Sequence, residues 1–215
     1  MDDPTQVRAY AEADFSAPHD RFVELFRQSF PGLSLAGAEV LDLGCGPADV
    51  SIRFARAFHG CRITGLDAGA NMLAAARRVV AEAGLSSRID FIEARLPAMP
   101  VARHSCDAVI SNSLLHHLAD PSAIWRAIGH CAKPGAPVWV MDLMRPSDET
   151  VLNELVARYA GGEPAVLQQD FRNSLKSSYR VDEVKGQLVE AGMSVLRVEA
   201  VSDRHWIAFC GAGQV

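Results

Sequence analysis

Hydrophobic positions along the chain change period near residue 38. Before that point they recur every four residues, at Phe22, Phe26 and Phe30, with Val23 and Leu25 widening the stripe. This spacing predicts one buried helix face, which Pro31-Gly32 ends. From Ala38 onward, short apolar runs alternate with helical stripes. Strands are predicted at Glu39 to Leu43, Arg62 to Leu66, Ile89 to Ile92, Asp107 to Ile110 and Pro137 to Leu143. A helix from about Pro47 to Phe58 follows the first strand. A second carries Met72, Leu73, Ala76, Val79 and Val80 on one face and stops at Gly84. A third opens at Asp120-Pro121 as N-cap and first residue and buries Ile124, Ile128 and Cys131.

Strand followed by helix, repeated, implies a parallel sheet with helices on both faces. After Leu143 the pattern becomes helical again. One helix is expected over Ser147 to Ala160, broken by Gly161-Gly162. A second segment runs through Gln168-Gln169-Asp170-Phe171, and a third is marked by Val181, Val184, Leu188 and Ala191. Two strands close the chain, about Ser194 to Ala200 and His205 to Cys210. Their connection, Val201-Ser202-Asp203-Arg204, is too short for a parallel crossover, so they form an antiparallel hairpin. The expected fold is α/β: a doubly wound, mostly parallel seven-stranded sheet with an antiparallel last strand, an amino-terminal helix and a helical insertion after strand five. We read 1–215 as a single domain: a cap over 1–37, a core over 38–143, an insertion or lid over 144–192 and a closing hairpin over 193–215.

Composition narrows the chemistry. The chain has 215 residues, 49% hydrophobic and 22% charged, which suits one folded core rather than disorder. Its net charge is −5 and its basic residues are scattered, so a nucleic-acid partner is disfavoured. Five cysteines stand among apolar neighbours without CxxC spacing; buried free thiols are expected, with neither a disulfide framework nor a metal site. The start lacks a leader pattern, and no apolar run is long enough to span a membrane. A cytoplasmic location is the default, with no membrane partner, and a homodimer is left open.

The sharpest segment is Val40-Leu41-Asp42-Leu43-Gly44-Cys45-Gly46-Pro47-Ala48. It joins a strand to a helix through a glycine turn, which lets a backbone approach a ligand closely. A carboxylate at Asp42 would repel a pyrophosphate but suits a cationic amino group. Asp67, at the end of the second strand, can accept both hydroxyls of an adenosine ribose. Each feature also has a plainer reading: an ordinary strand-to-helix turn for the glycines, and a helix cap for Asp67.

Here the sequence resembles the class I S-adenosylmethionine-dependent methyltransferases, whose fold is Rossmann-like. Leu41 to Gly46 matches the family's first motif. Gly65-Leu66-Asp67 with Met72-Leu73 looks like its ribose-binding segment. Asp107 to Asn112, followed by Leu115-His116-His117-Leu118, looks like its fourth-strand motif. The resemblance spans about Val40 to Leu143 and implies S-adenosylmethionine as cofactor. It further implies that Gly44, Cys45 and Gly46 pack under the methionine part, that Asp42 holds the amino group directly or through water, and that Asp67 binds the ribose. Ala68 and Met72 would flank the adenine, with Ala94 and Arg95 nearby, and the main chain at Ser111 or Asn112 would face the methionine end. Two positions depart from the pattern. Ala48 replaces a frequent third glycine, and Arg95 falls where an aspartate often accepts the adenine amino group. Arginine has no acceptor, which leaves the backbone or Glu93 for that role.

On the acceptor side, His116 and His117 follow the fourth strand at the carboxyl edge, where ligands bind. One is a candidate general base; a structural histidine holding the loop is the plainer reading. Tyr10, Asp14, Phe15 and His19 are candidates for a lid, and Asp170, Phe171, Ser174 and Tyr179 for a substrate wall. Asp203-Arg204-His205 is polar enough to act, but a hairpin turn needs polar residues anyway. A small-molecule acceptor fits the compact acidic chain best. Three rivals share parts of the pattern. A nicotinamide-dependent oxidoreductase would want a third glycine where Asp49 stands. A non-catalytic binding relative would show a degraded first motif. A cofactor site turned to other chemistry, such as cyclisation, is not excluded by fold.

Overall fold

The computed structural model describes residues 16–210. A first helix, α1 (Ser16–Ser29), precedes β1 (Glu39–Leu43), α2 (Asp49–Ala57), β2 (Arg62–Asp67), α3 (Ala70–Glu82), β3 (Ile89–Glu93) and β4 (Ala108–Asn112). A single helical turn, Leu115–His117, leads to α4 (Ser122–Cys131) and β5 (Val138–Leu143). The insertion holds α5 (Glu149–Ala160), α6 (Ala165–Ser177) and α7 (Val181–Glu190), and β6 (Arg197–Ala200) with β7 (His205–Cys210) closes the sheet. The strand order is β3-β2-β1-β4-β5-β7-β6. All neighbours from β3 to β5 pair in parallel, while β7 runs antiparallel to both β5 and β6. The order reverses between β1 and β4, so their carboxyl ends diverge and leave a crevice.

Strand pleat sorts the core into two layers. Val40, Ile63, Ile110, Trp139 and Ile207 face α1, α2 and α3. Leu41, Val109, Val140 and Trp206 face α4 and α7. On the first face Phe22, Phe26, Phe30 and Phe209 surround Trp139 with ring centroids 5.6 to 6.2 Å away. Such contacts add roughly 0.5–1.5 kcal/mol per pair beyond area burial. The four-residue phenylalanine spacing thus anchors α1 to the sheet. β5 is buried on both faces along its whole length, as a central strand covered by helices must be.

Local chemistry sets most boundaries where the pattern places them. Asp120 Oδ1 accepts the Ser122 N–H at 3.0 Å and caps α4, and Asp148 Oδ1 accepts the Val151 N–H at 3.0 Å and caps α5. The expected strand from Ser194 begins only at Arg197, because the Leu196 N–H bonds to the Met193 carbonyl at 3.0 Å and closes a turn first. Asp107 lies just outside β4. Its carboxylate accepts the Glu39 N–H at 3.0 Å and pairs with Lys133 at 2.6 Å, clamping the amino end of the sheet. All five cysteines are buried free thiols, as expected. Among the described residues no helix is long and apolar enough to cross a membrane.

Candidate functional site

Two cavities open at the carboxyl edge of the sheet. The first, about 290 Å³, lies over the crevice between β1 and β4. Its floor is the glycine turn. Gly44 and Gly46 take positive φ angles of 73° and 52°, where a side chain is strained. A Cβ on Gly44 would also stand 2.8 Å from Leu114, whereas Gly46 faces open space. The N–H groups of Gly44 and Cys45 both bond to the Leu66 carbonyl, at 2.7 and 3.1 Å. Asp67 then ties the turn to α3: Oδ2 accepts the Gly46 N–H at 2.9 Å and Oδ1 the Gly69 N–H at 2.8 Å. Each oxygen keeps a second lone pair, so the bracing role and a ligand role for Asp67 are compatible. Ala48 sits at φ 69° without being glycine, and its methyl is fully buried under α1 and α2.

Asp42 is 1% exposed and accepts the Ser51 O–H at 2.5 Å. Desolvation pushes its carboxyl up to about 7; the Ser51 bond opposes this and the Asp67 charge adds to it. A buried carboxylate of this kind gains a full charge partner when a cation enters. Cys45 lines the same cavity and lies directly on Gly65, where a Cβ would come within 2.7 Å of its sulfur. Met72 lines the cavity too, joined by Ala75 and by Val79, the latter assigned to the core by the helical pattern.

The structure leaves several expected positions outside this cavity. Ala68 and Ala94 are half-buried beside it, the latter with its N–H bonded to the Asp67 carbonyl at 2.9 Å. Arg95 is exposed. Ser111 is buried with its hydroxyl on the Leu43 carbonyl at 2.8 Å, while its neighbour Asn112 lines the cavity.

The second cavity, about 310 Å³, is bounded by α1, the Leu115–His117 turn, the insertion and the β6–β7 hairpin. Asp170, Phe171 and Ser174 of α6 line it. His19, Asn112 and Ser113 line both cavities, so the two meet there. Tyr179 does not reach either one. It pairs with Met144 in an isolated bridge and packs against the sheet's α4–α7 layer. Tyr10, Asp14 and Phe15 lie outside the described residues.

The two histidines separate. His116 is buried, and its Nδ1 lies 2.5 Å from Asp142 Oδ1. Asp142 Oδ2 accepts the N–H of Leu115 at 2.7 Å, and that of His116 at 3.4 Å. One carboxylate, 1% exposed at the end of β5, therefore holds both the turn and the ring. With Nδ1–H donating to Asp142, Nε2 is left as an acceptor on the second cavity, a tautomer fixed by the network. His117 faces the first cavity with its ring centroid 3.9 Å from that of His116 and the two planes tilted by 44°. The residue is exposed to solvent, yet desolvation and the neighbouring His116 lower its pKa. Asp142 was missed because it sits within the apolar run of β5. Arg204 and His205 also line the second cavity, although a hairpin turn explains their polarity equally well from sequence.

Comparison with known proteins decides the family. Residues 40–135 match the methyltransferase domain. The ubiquinone biosynthesis O-methyltransferase of Xylella fastidiosa is 30% identical over 176 residues, 81% of this chain and 68% of that protein. The chain belongs to this family. It is an S-adenosylmethionine-dependent methyltransferase, which sets aside the nicotinamide reading. The enzyme of the same name from Stutzerimonas stutzeri is 35% identical over 114 residues, 53% of this chain and 47% of that protein, so that match spans about half its length. A methyltransferase structure from Methanococcus maripaludis superposes with a TM-score of 0.77 at 20% identity, covering 99% of this chain and 94% of that one. At that identity the agreement concerns the fold.

Proposed function

We propose that this methyltransferase methylates a hydroxyl group of a small molecule, with His116 as general base. The meeting of the two cavities at His19, Asn112 and Ser113 carries the reading. One side has a glycine floor and a buried acid; the other has a histidine with a free ring nitrogen. The first cavity fits the cofactor on its own features: the open face of Gly46, the second lone pairs of Asp67, and a carboxyl at Asp42 that a cation would ionise. Gly44 and Gly46 would underlie the methionine part, Asp42 would face its amino group, Asp67 the ribose, and Met72 the adenine. Bound there, S-adenosylmethionine supplies a methyl group on a positively charged sulfur.

The chain's own task is alignment and proton removal. His116 Nε2 takes the acceptor's hydroxyl proton, and Asp142 keeps the ring oriented and stabilises its charged form. The names of the O-methyltransferase relatives support an oxygen nucleophile. A cavity of 310 Å³ suits a compact acceptor better than a nucleic acid. We read the insertion helices as the lid of that cavity, and the five free thiols as fitting a reducing, cytoplasmic setting. The test is calorimetry with S-adenosylhomocysteine, followed by a screen of small hydroxylated acceptors for S-adenosylhomocysteine release. Micromolar binding and turnover on hydroxyl acceptors are expected; turnover confined to amines or thiols would overturn the oxygen assignment.

A further inference from the structure

The acceptor cavity holds a second set of polar atoms that the proton transfer does not use. Arg204 lines it from the β6–β7 hairpin, with its side chain only 18% exposed. The guanidinium lies over Tyr159, its carbon 3.3 Å from the ring centroid. The backbone fixes the residue in place, since the Met144 N–H bonds to the Arg204 carbonyl at 2.7 Å. Its nearest carboxylate, Asp203, is 3.6 Å away and already committed to Arg158 at 3.0 Å and the Tyr159 hydroxyl at 2.9 Å. Tyr159 and Asp203 are its polar neighbours, and they do not fill the five donors that a guanidinium carries. A largely buried cation with donors to spare, resting on the Tyr159 ring, is suited to receive an oxyanion.

His205 stands beside it, 8% exposed and on the same cavity. Ser202 Oγ accepts the N–H groups of Arg204 and His205 at 3.2 and 3.0 Å. Its own O–H is then directed to His205 Nδ1 at 3.2 Å. That leaves the proton on Nε2, which has no partner among the described residues and lines the cavity as a donor. Burial, with the Arg204 charge beside it, lowers the His205 pKa to about 4, so the ring is neutral at pH 7. His116 and His205, two of the three histidines that line the cavity, therefore hold opposite tautomers. His116 offers a bare acceptor nitrogen and His205 an N–H.

We infer that the acceptor is a compact hydroxy acid, whose carboxylate is received by Arg204 and His205 while its hydroxyl faces His116. This rests on the O-methyltransferase reading above. Two acids also border the cavity, Glu163 and Asp170. Glu163 is exposed and Asp170 half-exposed, so both remain solvated and neither needs a ligand cation as Arg204 needs an anion. Phe171, Leu167 and the Tyr159 ring supply the apolar wall for the body of the acceptor.

The test is binding and turnover with S-adenosylhomocysteine or S-adenosylmethionine present. The panel is a set of aromatic and aliphatic hydroxy acids, each paired with its amide and its hydroxy amine. Some acids should bind at least tenfold more tightly than their amides. Arg204→Gln should raise their KM tenfold or more with a smaller change in kcat and erase the preference over the amide. Arg204→Lys, which keeps the charge but loses the fork, should fall between. Unchanged S-adenosylhomocysteine affinity in both variants shows that they fold. Amides or amines binding as well as acids, an acid preference that survives Arg204→Gln, or no acid bound while S-adenosylhomocysteine binds, would each overturn the inference. Failure of S-adenosylhomocysteine itself to bind would instead strike the underlying activity.

Discussion

The cofactor side and the acceptor side of the cleft are built in opposite ways. The floor of the cofactor side comes from two short stretches, Asp42 to Ser51 and Leu66 to Met72, and backbone N–H groups make most of the bonds that fix it. Gly44 and Cys45 hang from the Leu66 carbonyl, and Gly46 and Gly69 from the Asp67 carboxylate. The acceptor side is made of side chains from five separate places: His19 on α1, His116 after β4, Asp142 on β5, Asp170 to Ser174 on α6, and Arg204-His205 in the hairpin. A backbone site persists while its glycines and one or two acids persist. A side-chain site changes its ligand with each substitution. The fold can therefore keep one cofactor and exchange acceptors, which is why function is argued from the site.

The contrast is broken most severely at His116. His116→Gln should lower kcat by about 10²–10⁴, the usual share of a general base, and leave S-adenosylhomocysteine affinity within about twofold. A kcat within tenfold of the parent enzyme would reduce His116 to a brace for the loop. The reciprocal change is Asp67→Ala. Losing charged hydrogen bonds worth about 1.5–3 kcal/mol should weaken the cofactor about 10- to 150-fold by calorimetry, with acceptor KM nearly unmoved. A parallel loss on both sides would mean that the halves are not separable.

The same contrast explains what the sequence makes legible. The succession of strands and helices, the closing antiparallel hairpin and the glycine turn follow from short apolar runs and from neighbours in sequence, and the structure agrees to within a few residues. Asp67 reaches the first cavity from the end of its own strand, a position that can be read from the sequence. Asp142 was hidden, since within Val138 to Leu143 it reads as one polar interruption of a central strand; only the fold brings His116 to it. Ser51, nine residues past Asp42 and in contact with it, reads as an ordinary helix position. Arg204 and His205 sat in a turn that explains polarity by itself. Tyr179, a candidate for the substrate wall, lines neither cavity, because the end of α6 at Ser177 turns the chain toward Met144.

Asp42 sharpens the comparison through pH. Its folded pKa of about 7 exceeds the ordinary 3.8, so the free folded protein retains a proton there that the unfolded chain loses. From this group stability falls as pH rises from about 4 to 7 and levels off beyond. An ammonium ligand needs the ionised form. Cofactor affinity should then weaken as pH falls below 7, by up to about tenfold per unit, with a proton released on binding. Asp42→Asn should flatten that profile. Calorimetry in buffers of different ionisation enthalpy checks both, and acceptor binding measured alongside should not follow the same curve.

The smallest effect is expected where the two sides touch. His19 lines both cavities, and its Nδ1 lies 2.5 Å from Asp49 Oδ2 at the start of α2. Burial pushes the Asp49 carboxyl up, but hydrogen bonds from His19 and Arg53 outweigh it and hold it at about 2. The carboxylate is 42% exposed, so solvent screens the pair and its worth is about 0.2–1 kcal/mol. His19→Ala should therefore weaken each ligand by at most about fivefold. The informative quantity is the balance between the two. If His19 serves as a shared wall, S-adenosylhomocysteine affinity and acceptor KM shift together and by similar factors. A shift confined to S-adenosylhomocysteine would assign α1 to the cofactor side alone, and one confined to the acceptor would make α1 part of the variable, side-chain-built half.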